Sequence, residues 1–179
     1  MRLPTSNENI VLRSLKTEDA LSLHSWTDNP EIAKFFVFTR VPSSLERSRK
    51  FLESQLNGDP NYIHLAVEEI ETGDFVGLVC LKNINWIDRN AEFAIVLVSE
   101  DKTWKGYGRA ATIAIIDYAF TTLNLHRIYL SVLSSNIRAK TLYEKVGFKQ
   151  EGVWREHAYM MGEYQDLLWY ELMREELKT

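Results

Sequence analysis

The sequence predicts an α/β layered domain built on a mixed β-sheet. Strand-like and helix-like segments follow one another in the order β, helices, ββ, β, α, β, α, ββ. The segment 91–98 is almost entirely apolar after Glu92, as expected for a central strand that is covered on both faces. The chain has 179 residues, of which 45% are hydrophobic. This length and composition predict one core rather than two large domains.

The first half of the chain combines helices with a hairpin. Alternating residues at 10–14 predict a short strand, and the polar run from Thr17 to Asp19 is typical of a helix start with Thr17 as N-cap; we expect this helix to reach about Trp26. Prolines at 30 and 42 indicate two further helix starts, the second leading to about Leu56. Strand-like runs at 63–70 and 75–81 flank the turn 71–74, which predicts a hairpin.

The second half alternates helices and strands. Apolar residues at steps of three and four predict a helix over 107–123, and an apolar run over 127–133 predicts a buried strand. A helix over 136–146 should end at Gly147, and two strands are expected within 148–173. No linker, repeat or low-complexity tract divides the sequence, so we expect one domain over 1–179.

Charge and cysteine content exclude several classes of protein. The 21 basic and 25 acidic residues give a net charge of −4, which disfavours a binder of duplex nucleic acid. The single cysteine, Cys80, cannot form an internal disulfide and lies in an apolar run, which favours a reducing compartment and predicts a cytoplasmic protein. No window approaches the length of a membrane span, so no membrane association is expected.

A glycine-rich loop precedes the helix predicted at 107–123. It reads Lys105-Gly106-Tyr107-Gly108-Arg109-Ala110-Ala111, and its backbone amides and helix dipole predict a pyrophosphate site to which Lys105 and Arg109 add charge. The alternative is that the glycines serve only a tight turn. Dinucleotide binding is disfavoured, because the following strand ends at 131–135 without the acidic residue that would bind a ribose.

A second motif begins at Asn136. It reads Asn136-x-x-Ala139-x-x-Leu142-Tyr143-Glu144-Lys145-x-Gly147-Phe148. Taken alone, Asn136 is typical of a helix N-cap and Tyr143 of a partly buried aromatic residue. Together with the glycine loop, the motif resembles the GNAT superfamily of N-acetyltransferases, most closely the branch of spermidine N-acetyltransferases and ribosomal-protein N-terminal acetyltransferases.

The resemblance implies a GNAT-like fold and acetyl-CoA as co-substrate. The sheet should be mixed but mostly antiparallel, with helices on both faces. The pantetheine arm should pair with the strand around Val96 and Val98, and Asn136 should contact the cofactor. The pyrophosphate should rest on the loop amides, a set that comprises Lys105, Gly106, Tyr107, Gly108, Arg109 and Ala110. One departure is Thr103, which stands where the family usually has Gln or Arg.

Two residues are the candidates for proton transfer. Glu92 opens an apolar strand, where burial should raise its pKa and allow it to act as general base through one water. The alternative is that Glu92 is a surface acid paired with Arg89 or Lys82. The family uses the tyrosine that matches Tyr143 as general acid for the departing thiolate. Direct attack in a ternary complex requires no metal, and the four histidines have no metal-ligand spacing.

The acceptor should be a primary amine, either a polyamine or another small amine, or a protein N-terminal amine. By resemblance, Trp26 and Glu31 lie on the acceptor side, where an acid would attract a cationic amine and Trp would offer a cation–π face. Relatives often dimerise, so a homodimer is one expected state. The alternative function is a non-catalytic acetyl-CoA sensor or interaction module.

Overall fold

The computed structural model describes residues 1–27, 29, 44–97, 105–160 and 162–177. This part of the chain forms eight β-strands and four α-helices. The strands are β1 (Arg2–Pro4), β2 (Ile10–Ser14), β3 (Ile63–Glu69), β4 (Phe75–Asn85), β5 (Asn90–Leu97), β6 (Arg127–Leu133), β7 (Lys149–Met160) and β8 (Glu163–Met173). The helices are α1 (Ala20–Thr27), α2 (Leu45–Leu56), α3 (Tyr107–Thr121) and α4 (Ile137–Val146).

The strands form one sheet in the order β1-β2-β3-β4-β5-β6-β8-β7. Only β5 and β6 are parallel among the strand pairs of the described chain, so the predicted mixed, mostly antiparallel sheet is confirmed. The sequence did not predict β1. This strand is three residues long and ends in Pro4, which an edge strand tolerates because one side of its backbone needs no partner.

Helices cover both faces of the sheet, as predicted. Helices α3 and α4 pack on one face, which we call face A; its core includes Phe93 of β5 and Tyr143 of α4. Helices α1 and α2 pack on the opposite face, face B, where Leu23 and Leu52 meet Ala66 and Val96. Because side chains alternate along a strand, Phe93 on face A places its neighbour Glu92 on face B.

The parallel pair β5–β6 separates partway along its length. The two strands pair only at Asn90, Ala91 and Glu92 of β5, the last opposite Tyr129. Beyond this point β5 continues to Leu97 and β6 to Leu133. The edge of β5 that faces β6 therefore has no strand partner after Glu92 within the described chain.

The start of α1 differs from the prediction. A short 3₁₀ turn, Thr17–Asp19, precedes the helix, and Lys16 rather than Thr17 is its N-cap residue. The carboxylate of Asp19 accepts a hydrogen bond from the backbone N–H of Lys16 at 2.8 Å. It also accepts one from each terminal nitrogen of Arg13, both at 2.8 Å. The acid predicted only as a first-turn residue is thus the buried partner of a β2 arginine, and it ties α1 to the sheet. None of the described helices combines the length and apolarity needed to cross a membrane.

Candidate active site

Tyr143 lies on α4 against face A, next to the point where β5 and β6 separate. Its side chain is 6% exposed, and its ring contacts Phe93 and Phe148 at centroid distances of 6.1 and 5.9 Å. Burial, and secondarily the Cys80 thiol, raise the pKa of its phenol well above the usual value. Tyr143 therefore keeps its proton at neutral pH, as a proton donor must.

Glu92 occupies the last position at which β5 and β6 pair. Lys82 Nζ donates to its Oε1 at 2.9 Å, and Asn83 Nδ2 donates to its Oε2 at 3.1 Å. The side chain is 18% exposed. The alternative prediction for Glu92 was an ion pair with Arg89 or Lys82, and the structure has the pair with Lys82. The carboxylate is thus held by two donors on face B rather than isolated in an apolar strand.

Val96 belongs to the stretch of β5 whose outer edge is open. Its side chain is buried against Leu78 and the face B helices, so only its backbone is available to a ligand. Strand β5 approaches β4 closely at this level. A Cβ on Gly77 would lie 2.7 Å from the carbonyl oxygen of Val96. Because β4 pairs with β5 along this stretch, with Leu78 opposite Val96, an extended ligand could pair with the β5 backbone only from the β6 side.

The predicted glycine loop forms the start of α3. Gly106 is the N-cap residue and has φ +77°, a left-handed conformation that favours glycine. The amides of Gly108 and Arg109 lie in the first turn, where an α-helix offers them no internal acceptor. The amide of Ala110 donates to Gly106 O at 3.1 Å and is therefore already used within the helix, while its predicted contact with the pyrophosphate stays a prediction. The amides of the first turn of α3 that stay available to an anion are therefore those of Gly108 and Arg109.

The charged and aromatic side chains of the loop point in different directions. Tyr107 is buried, and its hydroxyl donates to Glu69 Oε1 at 2.6 Å. Lys105 Nζ lies 3.3 Å from the same oxygen, and Asn7 Nδ2 donates to the carbonyl of Lys105 at 3.0 Å. Arg109 is exposed. The loop is therefore fastened to β3 and the N-terminal segment, with the Arg109 side chain directed to solvent.

Asn136 caps α4, as expected for this residue type. Its Oδ1 accepts the backbone N–H of Ala139 at 3.1 Å. The cap fixes the start of the helix that carries Tyr143, while the predicted contact of Asn136 with the cofactor stays a prediction.

Several predicted residues lie outside the described part of the chain. They are Val98, Thr103 and Glu31, together with the side chain of Trp26. Cys80 is buried, as predicted, and burial raises the pKa of its thiol to about 12, against a smaller lowering by the Lys82 charge. Within the described residues, no group of three metal-ligating side chains comes together.

Sequence reasoning missed an aromatic cavity on face B of the described sheet. It has a volume of about 500 Å³ and is lined by Asn90, Arg127, Tyr129, Glu151, Gly152, Trp154 and Trp169. The available signal was the alternation of Arg127, Tyr129 and Ser131 along β6, which marks a second, polar face on a strand that was predicted only as buried. Its grouping with Trp154 and Trp169 depends on strand order, which the sequence does not display.

A family model described as an acetyltransferase (GNAT) domain matches residues 9–149. The spermidine N(1)-acetyltransferase of Vibrio cholerae is 34% identical over 161 residues, which cover 90% of this chain and 91% of that protein. The Bacillus subtilis protein named "Putative ribosomal N-acetyltransferase YdaF" is 29% identical over 175 residues, or 95% of this chain and 94% of that one.

Solved structures show the same likeness. The crystal structure of the Vibrio cholerae spermidine N-acetyltransferase in complex with CoA and spermine superposes with a TM-score of 0.86 and 32% identity; it covers 95% of this chain and 98% of that one. A dodecameric structure of the same enzyme gives a TM-score of 0.80 at 31% identity, with coverage of 94% and 95%.

Proposed function

The chain belongs to the GNAT acetyltransferase family, and on this premise we propose that it transfers the acetyl group of acetyl-CoA to a polyamine by direct attack in a ternary complex. The family and both branches indicated by the two sequence motifs are confirmed. The chain is an N-acetyltransferase, which removes the alternative of a non-catalytic sensor. The observation that carries the mechanism is the end of the β5–β6 ladder at Glu92 and Tyr129.

The described residues fit acetyl-CoA at this opening. The unpaired edge of β5 beyond Glu92 offers backbone donors and acceptors to an extended pantetheine arm, as β-augmentation does for peptides. The first-turn amides of Gly108 and Arg109 face a pyrophosphate with the positive end of the α3 dipole behind them. Acetyl-CoA supplies an acetyl thioester, whose C–S bond breaks as the new C–N bond forms.

Glu92 serves as the general base in this proposal. An amine such as a polyamine terminus is protonated at neutral pH and must lose a proton before it attacks. Lys82 shows how an ammonium sits against Glu92, since its Nζ lies 2.9 Å from Oε1. The acceptor ammonium would take this place or share the carboxylate with Lys82. The proton then passes to Glu92, directly or through one water.

Tyr143 serves as the general acid. Burial keeps its phenol protonated, and the hydroxyl gives a proton to the sulfur that leaves. The nitrogen loses two protons in all: the first passes from the ammonium to Glu92 before the attack, and the second leaves as the amide forms. The second proton restores, through water, the one that Tyr143 gives to the thiolate, so the proton balance closes with one proton left on Glu92. A backbone amide of the open β5 edge polarises the thioester oxygen.

A polyamine is the favoured acceptor because acidic and aromatic side chains of the neighbouring strands share face B with Glu92. Glu151 and Glu171 lie across β6 from it, beside Tyr129 and Trp169. The 34% identity to a spermidine N(1)-acetyltransferase supports the same choice. A protein N-terminal amine is the second candidate, supported by the 29% identity to YdaF.

The test is thiol release from acetyl-CoA across a panel of acceptors. The native chain is incubated with spermine, spermidine, putrescine, butylamine and peptides that carry free N-termini. We expect the highest kcat/KM with a polyamine. A higher kcat/KM with the peptides would replace the polyamine by the second candidate, and no thiol release with any amine would refute the proposal.

A further inference from the structure

The aromatic cavity on face B is lined by Tyr129, the strand partner of Glu92. Glu92 pairs with Tyr129 in the parallel ladder, and Tyr129 pairs with Glu171 on β8. Paired residues lie on the same face of a sheet, and so do residues two apart on one strand. Arg127 and Trp169 therefore share this face with Glu92. The cavity lining extends from Asn90 of β5 across Tyr129 of β6 to Trp169 of β8, and Glu92 and Glu171 flank Tyr129 on the same face.

The contacts of Arg127 indicate that this cavity suits a cationic group. Its guanidinium carbon lies 5.8 Å from the centre of the Tyr129 ring, which is cation–π distance. One terminal nitrogen contacts both carboxylate oxygens of Glu151 at 2.7 Å, and Nε lies 3.5 Å from Glu171. The guanidinium of Arg127 thus lies against the Tyr129 ring and between the carboxylates of Glu151 and Glu171.

The cavity has room and charge for a second cation. About 500 Å³ of space remains beside the Arg127 side chain. Trp154 forms the outer wall, with its ring 4.7 Å from that of Trp169 and half of its side chain exposed. Among the ion pairs of the cavity, one cation, Arg127, faces two carboxylates, those of Glu151 and Glu171. This group of ion pairs therefore carries one negative charge in excess.

We propose that this aromatic and acidic cavity binds the distal ammonium of a polyamine acceptor while the proximal amine is acetylated beside Glu92. The inference rests on the proposed function and deepens it, because it assigns the acceptor arm to β6, β7 and β8. The carboxylate of Glu171 and the indole of Trp154 hold the distal cation. A polyamine carries its charges on a flexible chain and can span neighbouring strands, which lie about 4.8 Å apart.

The cavity makes the enzyme selective for polyamines over monoamines. A monoamine engages Glu92 alone and gains nothing from Glu171 or Trp154. Removal of either residue should therefore raise KM for spermidine and leave the parameters for butylamine unchanged.

The experiment compares two cavity variants with two matched controls. Trp154→Leu and Glu171→Gln change the cavity. Trp86→Leu removes another half-exposed tryptophan, at the β4–β5 turn, and Glu163→Gln removes an exposed carboxylate at the β7–β8 hairpin. We expect each cavity variant to lower kcat/KM for spermidine roughly tenfold through KM. Butylamine acetylation should change less than about twofold, and the controls should behave like the native chain.

A titration with spermine, monitored by tryptophan fluorescence in the absence of acetyl-CoA, gives an independent measure of binding. Trp154→Leu should weaken this binding, whereas Trp86→Leu should not. Equal loss of butylamine and spermidine acetylation in the cavity variants overturns the inference. So does weaker spermine binding without a change in spermidine KM, because the cavity would then be a separate site. If the native chain is active on both amines and the cavity variants match the controls, the inference alone fails; if the native chain acetylates no amine, the proposed function fails with it.

Discussion

Tyr143→Phe removes a single oxygen atom from the candidate site and leaves its packing in place. The Tyr143 ring contacts Phe93 and Phe148, and both contacts are made by ring carbons that phenylalanine retains. The variant should therefore fold normally. Loss of a positioned general acid usually costs 10²–10⁴-fold, so we expect kcat to fall by roughly a hundredfold or more.

The assay is steady-state thiol release with saturating acetyl-CoA and spermidine. Tyr170→Phe is the matched control, because Tyr170 is also a buried phenol of the face A core and its hydroxyl donates to Glu144 at 3.0 Å. That variant should keep its kcat. Since burial raises the pKa of Tyr143 well above its usual value, no loss of rate from its ionisation is expected up to about pH 10 in the native enzyme. A Tyr143→Phe variant with native kcat would refute the general-acid role.

Three further predictions concern other parts of the molecule. Glu92→Gln removes the proposed base, so kcat/KM for spermidine should fall by about 10²–10⁴-fold, and a native kcat/KM would exclude Glu92 as the base. Arg13→Met removes the buried cation that Asp19 and Glu68 share, and Glu68 keeps its ion pairs to the more exposed Arg2 and Lys16. Because the buried carboxylate of Asp19 loses this cation, urea unfolding should show a loss of about 3–5 kcal/mol; a loss below about 1 kcal/mol would contradict this. Burial, then the charge of Lys82, lower the pKa of His64 from 6.5 to about 4, so the stability that neutral His64 contributes is full above pH 6.5 and is lost as the pH falls toward 4. His64→Gln should flatten this decline in a pH series of unfolding curves, and an unchanged slope would show that other groups cause it.

Most of the fold was accessible from the sequence because its elements have clear periodicity or caps. The helix with apolar residues at steps of three and four is α3, which ends at Thr121 rather than 123. The helix predicted over 136–146 is α4, and Gly147 ends it with φ +115°. Strand β4 continues to Asn85, four residues beyond its predicted end, because its polar end still pairs with β5.

The candidate site was only partly accessible, because its geometry depends on pairing between distant strands. Glu92 was predicted from its position at the start of an apolar strand. Its contact with Lys82 results from the register between β4 and β5. The separation of β5 from β6 after Glu92 has no local signal in either strand. Tyr129 and Trp169 become neighbours only through the order β6-β8. Residue type and spacing indicated the chemistry, and the sheet topology determined which residues share the site.

The residues proposed as base and acid, Glu92 and Tyr143, lie on opposite faces of the sheet beside the separation of β5 and β6. Glu92 lies on face B between two polar donors, whereas Tyr143 is embedded in the apolar core of face A. Were both on one face, a direct hydrogen bond would tie up the phenol proton before the thiolate forms. Cys80 is not suited to form a covalent acyl intermediate. Burial raises the pKa of its thiol to about 12, so a thiol rather than a thiolate is present at neutral pH. In the proposed reaction the acetyl group therefore passes directly from acetyl-CoA to the amine, without an acyl intermediate on Cys80.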